Sequence, residues 1–138
     1  AYREIAERAV EVMYKFNHAR PTNLASEETY VVDREVGSEK MGFWSENISQ
    51  TSVRKSEVND DSVLMAQLIA QRMFNQYIES EREAGRAGDY VNGGHYMNII
   101  QSGHSDMVLA VFIVEDEEDP GYYRISTTVS TGFVSIVK

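Results

Sequence analysis

Residues 107–130, MVLAVFIVEDEEDPGYYRISTTVS, decide the fold class of this chain. The stretch 107–114 is apolar and rich in β-branched side chains, and 122–130 is rich in Tyr, Ile, Thr and Val, so both favour β-strands. The acidic run 115–119, which a Pro-Gly pair follows, is typical of a solvated hairpin turn. A calcium site is the alternative for these carboxylates, although no EF-hand spacing supports it. A further short strand is predicted at 132–137.

Two amphipathic helices are predicted upstream of these strands. The first covers 2–16, where apolar residues recur mostly at three- and four-residue steps, and Pro21 ends it because proline disfavours a helical conformation in the preceding residue. The second covers 63–78 and follows several N-cap candidates at 59–62. The predicted apolar face of the first helix consists of Ile5, Ala9, Val12, Met13 and Phe16.

The remaining stretches carry weaker patterns. Residues 21–49 show no sustained periodicity, with 30–32 as a short extended or helical piece. Glycines indicate a loop at 83–89, and a short helix is predicted at 95–101. Helices followed by consecutive strands indicate the α+β class, with an antiparallel sheet covered by helices. The chain has 138 residues, so 1–138 is expected to form one domain with one core.

Composition excludes several classes of protein. The chain has 22 acidic and 13 basic residues and a formal net charge of −9, which disfavours nucleic acid as a partner because phosphates would be repelled. The longest apolar run, 107–114, is far shorter than the roughly 20 residues that span a bilayer, so the chain is not expected to be membrane-spanning. Cysteine is absent, and no serine lies in a nucleophile elbow.

Three short segments each place a titratable side chain beside an apolar element. They are Phe-Asn-His-Ala-Arg-Pro at 16–21, Ser-Glu-Asn-Ile at 45–48 and Gly-His-Tyr-Met-Asn-Ile-Ile at 94–100. In this order they resemble the Phe-Ser-His-Thr-Arg-Pro, Gly-Glu-Asn-Ile and combined Gly-His-Tyr and Arg-Asn-Ile-Leu segments of bacterial CAP-superfamily domains. That superfamily contains cysteine-rich secretory proteins, antigen 5 and plant pathogenesis-related proteins. The resemblance extends over about 5–134.

The resemblance implies a fold and a location. The implied fold is a three-layer α-β-α sandwich around an antiparallel sheet, as a single CAP-like domain over 1–138 whose usual first helix is missing or cut short. The implied location is secreted or at the cell surface, and the absence of cysteine fits a bacterial branch of the family. Ser45 departs from the pattern, because the family has glycine at this position.

The resemblance also implies a ligand-binding cleft lined by His18, Glu46 and His95. The two matching histidines of the family sometimes hold zinc, so His18 and His95 are the candidate metal ligands and zinc is the possible cofactor. Glu46 lies between large apolar residues, where a carboxylate is usually paired with another group. No third protein ligand is evident, which favours a weak zinc site over a tightly held catalytic one.

The second glutamate of the family cleft is harder to assign. Tyr77 is the best match for the tryptophan that precedes it in the family, which makes Glu79 the candidate, with Ser80 and Glu81 close behind. No residue is assigned as catalytic, and Glu46 and Glu79 are the cleft candidates for such a role.

Each candidate has a plainer interpretation. His18 is also explained as a histidine at a helix C-terminus, which the helix dipole favours. Glu46 is also explained as a loop carboxylate, and Glu79 as part of a solvated charged face. His104 lies in a Ser-Gly-His-Ser turn and is not assigned as a ligand.

Three functions follow from the resemblance. The first is a domain without established enzymatic activity that binds a small molecule, lipid or protein in the cleft. The second is a zinc-assisted hydrolase in which His18 and His95 hold the metal and Glu46 acts as general base. The third is a cell-wall or adhesion module. Fold analogy by itself does not choose among them.

Overall fold

The computed structural model of the chain describes residues 7–18, 32–36, 39–100 and 105–136, and in 32–36, 39–44 and 133–136 it describes the backbone. Within these residues, helices and strands are mixed, as the α+β prediction requires. The helices are α1 (Arg8–Tyr14), α2 (Lys55–Val58), α3 (Ser62–Phe74), the π-helical turn Asn75–Glu79, α4 (Arg82–Arg86) and α5 (Tyr90–Ile100). The strands are β1 (Val32–Val36), β2 (Glu39–Arg54), β3 (Asp106–Glu115) and β4 (Tyr122–Ile136).

The four described strands form one sheet in the order β1-β2-β4-β3. Strands β1 and β2 pair in antiparallel fashion, with Val32 opposite Phe43 and Val36 opposite Glu39. The acidic run after β3 forms a turn, in which the Asp116 amide donates to the Tyr122 carbonyl at 3.0 Å. The mixed composition and the antiparallel pairing agree with the predicted α+β class.

Three of the predictions for 83–137 were wrong. A separate strand was predicted at 132–137, but β4 continues without interruption from Tyr122 to Ile136. The predicted loop at 83–89 contains the helix α4. Gly85 is one of the glycines that predicted a loop, but it lies in this helix, where it packs closely against Gly93 and Tyr96. The helix predicted at 95–101 begins earlier, at Tyr90, and has a kink at Gly93 where φ is −130° and ψ is 17°.

The structure also contains a strand that the sequence pattern did not predict. Strand β2 runs over sixteen residues, Glu39–Arg54, through the irregular stretch that precedes the second predicted helix. Its central residues Asn47 and Ser49 are polar and buried, with exposed fractions of 1% and 2%. A polar side chain at a core position removes the apolar alternation that identifies most strands.

The chain divides into two compact units. The first consists of Ala1–Gln50, Gln101–Phe112 and Ser126–Lys138, and the second consists of Thr51–Ile100 and Ile113–Ile125. The prediction of a single domain over 1–138 stays a prediction.

In the first unit, α1 is held by polar contacts as well as by apolar burial. Ala9, Val12 and Met13 are buried as predicted, whereas Phe16 is 55% exposed, because the helix ends at Tyr14 before the apolar periodicity does. Gln50 Nε2 donates to the carbonyl oxygens of Val12 at 2.7 Å and Met13 at 3.1 Å, which satisfies acceptors that the helix end leaves open.

The second unit has a compact apolar core. Asp61 caps α3 by accepting hydrogen bonds from the amides of Val63 at 2.9 Å and Leu64 at 3.1 Å, which confirms the predicted helix start. Valines and isoleucines from β2, α2, α3 and β4 pack together in this core. The buried members of the core are Val53, Val58, Ile69 and Ile125, against which Met65, Leu68, Met73 and Tyr123 pack.

Among the described residues, none of the helices combines the length and the apolar character that a membrane span requires. This finding agrees with the prediction that the chain is not membrane-spanning.

Candidate functional site

In the first unit, a buried arginine holds the predicted cleft residue Glu46. Arg8 lies on α1 and Glu46 lies on β2, and their side chains are 1% and 4% exposed. Arg8 Nε donates to Glu46 Oε2 at 2.9 Å, and Arg8 Nη2 donates to Glu46 Oε1 at 3.1 Å. This two-point contact defines the position of both carboxylate oxygens.

Two further N–H groups of Arg8 also have acceptors. Nη1 donates to Glu11 Oε2 at 2.9 Å, and Nη2 donates to the carbonyl oxygen of Asn17 at 2.6 Å. Burial by itself would lower the pKa of Arg8, but the hydrogen bonds and charges of Glu46 and Glu11 outweigh it and raise that pKa above its usual value. A buried charge with this many partners is compensated. Removal of either Arg8 or Glu46 would leave the remaining charge buried and uncompensated.

Glu46 also contacts His18, which the sequence placed in the same cleft. His18 Nδ1 lies 3.0 Å from Glu46 Oε1, and the imidazole is 47% exposed. An ionised carboxylate can only accept hydrogen bonds, so Nδ1 carries the proton in this contact. The nitrogen of neutral His18 that can bind a metal or accept a proton is therefore Nε2.

In the second unit, the imidazole of His95 has the same kind of contact with a different glutamate. His95 Nδ1 lies 2.5 Å from Glu81 Oε1. The other oxygen, Glu81 Oε2, accepts hydrogen bonds from the amides of His95 at 2.8 Å and Tyr96 at 3.3 Å. Glu81 thus binds both the ring and the backbone at the position where α5 resumes after its kink.

The π-helical turn Asn75–Glu79 supplies the third contact of His95. Tyr77 is 2% exposed, and its ring lies 5.0 Å from the imidazole of His95, with the two planes at 31°. A π-helical turn adds a residue to the helical register and occurs frequently at functional sites. Here it lies directly before the segment that carries Glu81.

Two glycines bring the helices around His95 together. A Cβ atom on Gly93 would overlap the backbone N and Cα of Gly85, and a Cβ atom on Gly85 would overlap the ring of Tyr96. The close approach of α4 and α5 therefore needs glycine at both positions. This packing sets where Glu81, just before α4, stands relative to His95 on α5.

Glu79, the cleft candidate chosen from sequence, lies in a more exposed position. Its Oε1 pairs with Arg82 Nη2 at 2.5 Å, and the Glu79 side chain is 46% exposed, compared with 17% for Glu81. A role for Glu79 in ligand binding stays a prediction. Glu81 contacts the predicted histidine, and sequence reasoning named it only as a neighbour in the same charged stretch.

Arg8 is the other residue that sequence reasoning missed. The sequence nevertheless contained a signal, because Arg8 lies beside Ala9 and four residues before Val12, within the apolar stripe of its helix. A charged residue in such a stripe is buried only when it is paired.

The predicted site residues are distributed over both units. His18 and Glu46 belong to the first unit and contact each other, whereas His95 belongs to the second. The convergence of all three on one cleft stays a prediction. Within the described part of the chain, no group of three or more His, Cys, Asp or Glu side chains is arranged to hold a metal ion.

Zinc remains compatible with the chemistry of the two histidines. A histidine that ligates a metal usually donates its second ring N–H to a carboxylate or carbonyl, which fixes the tautomer. Nδ1 of His18 and Nδ1 of His95 each lie against a carboxylate. The Nε2 atoms of these residues are thus the ones that would hold zinc.

Comparison of the chain with known protein families, curated proteins and solved structures found no match.

Proposed function

We propose that this chain is a CAP-like domain, secreted or located at the bacterial cell surface, that binds a small molecule, lipid or protein through its carboxylate-paired histidines. The proposal includes the three-layer α-β-α sandwich that the three motifs imply. Its support is the ordered resemblance at 16–21, 45–48 and 94–100, together with the side-chain contacts of the histidines in the first and third segments.

The single observation that carries the proposal is the pairing of Nδ1 with a carboxylate at both histidines. His18 pairs with Glu46 at 3.0 Å, and His95 pairs with Glu81 at 2.5 Å. These are the two histidines that the resemblance selects on sequence alone. A carboxylate on Nδ1 orients an imidazole and directs its chemistry to Nε2, which is an arrangement suited to binding.

The contacts of Glu46 favour binding over hydrolysis. A general base must come within hydrogen-bond distance of the water or group whose proton it accepts. Both oxygens of Glu46 accept hydrogen bonds from Arg8, one of them also contacts His18, and the side chain is 4% exposed. Glu46 is therefore better suited to orienting His18 than to activating a water molecule.

A zinc-assisted hydrolase is the second candidate, and the carboxylate on each Nδ1 is the observation in its favour. Bound zinc would lower the pKa of a water molecule and polarise a carbonyl group. In this alternative, His18 and His95 would hold the metal through Nε2, and Glu46 would act as the general base.

Zinc chloride is the probe that tests the proposal, because the natural ligand is unidentified. Isothermal titration calorimetry would compare wild type with His18→Ala, His95→Ala and the matched control His104→Ala. We expect weak binding by wild type and by His104→Ala, with a loss of affinity in the other two variants. Equal binding by all four proteins would overturn the proposed binding role of these histidines.

A further inference from the structure

We propose that Arg8 is a positioning residue, which holds the carboxylate of Glu46 in one orientation. The carboxylate in this orientation favours the tautomer of His18 that carries its proton on Nδ1. This role concerns the resting protein and does not depend on any ligand. Its consequence for the class of ligand rests on the proposed function.

The side chain of Arg8 is buried in the first unit. It is 1% exposed, so it is not available to a ligand in solution, and its contacts include Glu46, Glu11 and the backbone of Asn17. Residues that bind ligands directly must be reached by them, whereas a buried arginine can act through the groups that it holds. Arg8 therefore influences the site through Glu46.

The carboxylate of Glu46 contacts Arg8 through both of its oxygens. Nε and Nη2 of one planar guanidinium contact the two different oxygens of Glu46, at 2.9 Å and 3.1 Å. The guanidinium is planar and its donors are fixed in a fork, so this contact sets the plane of the carboxylate as well as its place. A lysine has a single ammonium group and cannot reproduce a contact of this kind.

One of the two oxygens of Glu46 also contacts His18. The oxygen of Glu46 that faces His18 Nδ1, at 3.0 Å, is Oε1, which Arg8 Nη2 also contacts. An ionised carboxylate accepts hydrogen bonds but cannot donate them, so the hydrogen of this contact lies on Nδ1. Free neutral histidine prefers its proton on Nε2, so a fixed acceptor opposite Nδ1 is needed to reverse the preference.

The ligand class follows if His18 belongs to a binding site. Neutral His18 then presents an unprotonated Nε2, while its Nδ1 faces the carboxylate of Glu46. Such a site favours a ligand group that donates a hydrogen bond to Nε2.

Imidazole nitrogen NMR tests the role of Arg8 without any ligand. The ¹⁵N chemical shifts of His18 would be recorded at a pH well above the ordinary histidine pKa of about 6.5, so that neutral imidazole is observed. We expect wild type to carry the proton on Nδ1. We expect Arg8→Lys and Glu46→Gln to move the population toward Nε2–H, with Arg72→Lys in the second unit as the unchanged control.

The outcomes separate this role from a purely structural one. Folding of each variant would be checked by circular dichroism and by its methyl spectrum, because loss of Arg8 leaves Glu46 buried without its partner. A wild-type tautomer protonated on Nε2 would overturn the proposal even if every variant failed to fold. A folded Arg8→Lys with the wild-type tautomer would overturn it as well. Zinc binding plays no part in this readout, so failure of the proposed function would appear separately.

Discussion

His95 Nδ1 lies 2.5 Å from Glu81 Oε1, while the second oxygen of the same carboxylate accepts the backbone N–H of His95 at 2.8 Å. The carboxylate of Glu81 therefore contacts both the ring and the backbone amide of His95. The backbone contact provides an acceptor for an amide that lies just after the kink of α5 at Gly93. The ring contact orients the imidazole, so the local fold and the candidate site depend on the same side chain.

Replacing Glu81 is expected to cost more stability than replacing Glu79. Glu81→Gln removes the charge from a half-buried acceptor of three contacts and should lower the free energy of unfolding by about 1–3 kcal/mol. Glu79→Gln is the control, because its ion pair with Arg82 is exposed and should contribute less than about 1 kcal/mol. Urea denaturation of both variants is the measurement, and equal losses would contradict the assigned difference.

Adjacent glycines on α5 provide a matched test of helix packing. A Cβ atom on Gly93 would overlap the backbone of Gly85, whereas a Cβ atom on Gly94 would meet nothing within 4 Å. We expect Gly93→Ala to lower the free energy of unfolding by about 1–3 kcal/mol, which is the usual cost of overpacking a core. Gly94→Ala should be neutral or stabilising by up to about 1 kcal/mol. A Gly93→Ala variant as stable as Gly94→Ala would show that α4 and α5 are not in contact there.

Acid stability should depend on Asp89. The pKa of Asp89 is lowered below its ordinary value of 3.8. The largest cause is the hydrogen bond from the Asn92 side chain, and the backbone amides of Asn92 and Val91 contribute less. A carboxyl whose pKa is lowered by folding stabilises the folded state fully above the unfolded pKa. That contribution is lost as pH falls through the lower folded pKa.

The variant Asp89→Ala tests this dependence. We expect it to be less stable than wild type near neutral pH and to lose less stability than wild type as the solution is acidified below about pH 4. Thermal unfolding across that range is the measurement, with Asp116→Ala as a control in an exposed turn. Parallel curves for wild type and Asp89→Ala would remove the assigned linkage.

The sequence-based hypothesis of a shared cleft predicts a particular pattern of zinc affinities. If His18 and His95 ligate the same ion, then the double variant should bind about as poorly as either single variant, because one lost ligand already abolishes most of the affinity. Affinity should also fall as pH decreases through about 6.5, because a protonated imidazole cannot ligate. Losses that simply add in the double variant would instead indicate separate sites.

Efficient peptide hydrolysis is not expected. Catalytic zinc typically has three protein ligands, and the chain offers two candidate histidines together with a Glu46 that Arg8 already engages. A peptide-library assay with added zinc is the measurement. Turnover that disappears in a folded Glu46→Gln variant would support the hydrolase alternative, because this change removes the proposed base but preserves its size.

Local signals explain which elements could be predicted from sequence. Helix α3 was predictable because Asp61 caps it and its apolar residues recur with helical spacing, both of which lie within a short stretch. Strand β3 was predictable from its apolar, β-branched composition. Helix α4 was not, because Gly85 reads as a helix breaker unless its contact with Gly93 is known.

By itself, the sequence determined the mixed helix-and-strand class, the start of α3, the acidic turn after β3 and the choice of His18, Glu46 and His95 as candidates. Only the tertiary structure showed that Arg8 engages Glu46 and that Glu81, and not Glu79, contacts His95. The physical reason is distance along the chain. Periodicity and capping act between neighbours, whereas the partner of a buried charge comes from another element, which only folding brings within hydrogen-bond distance.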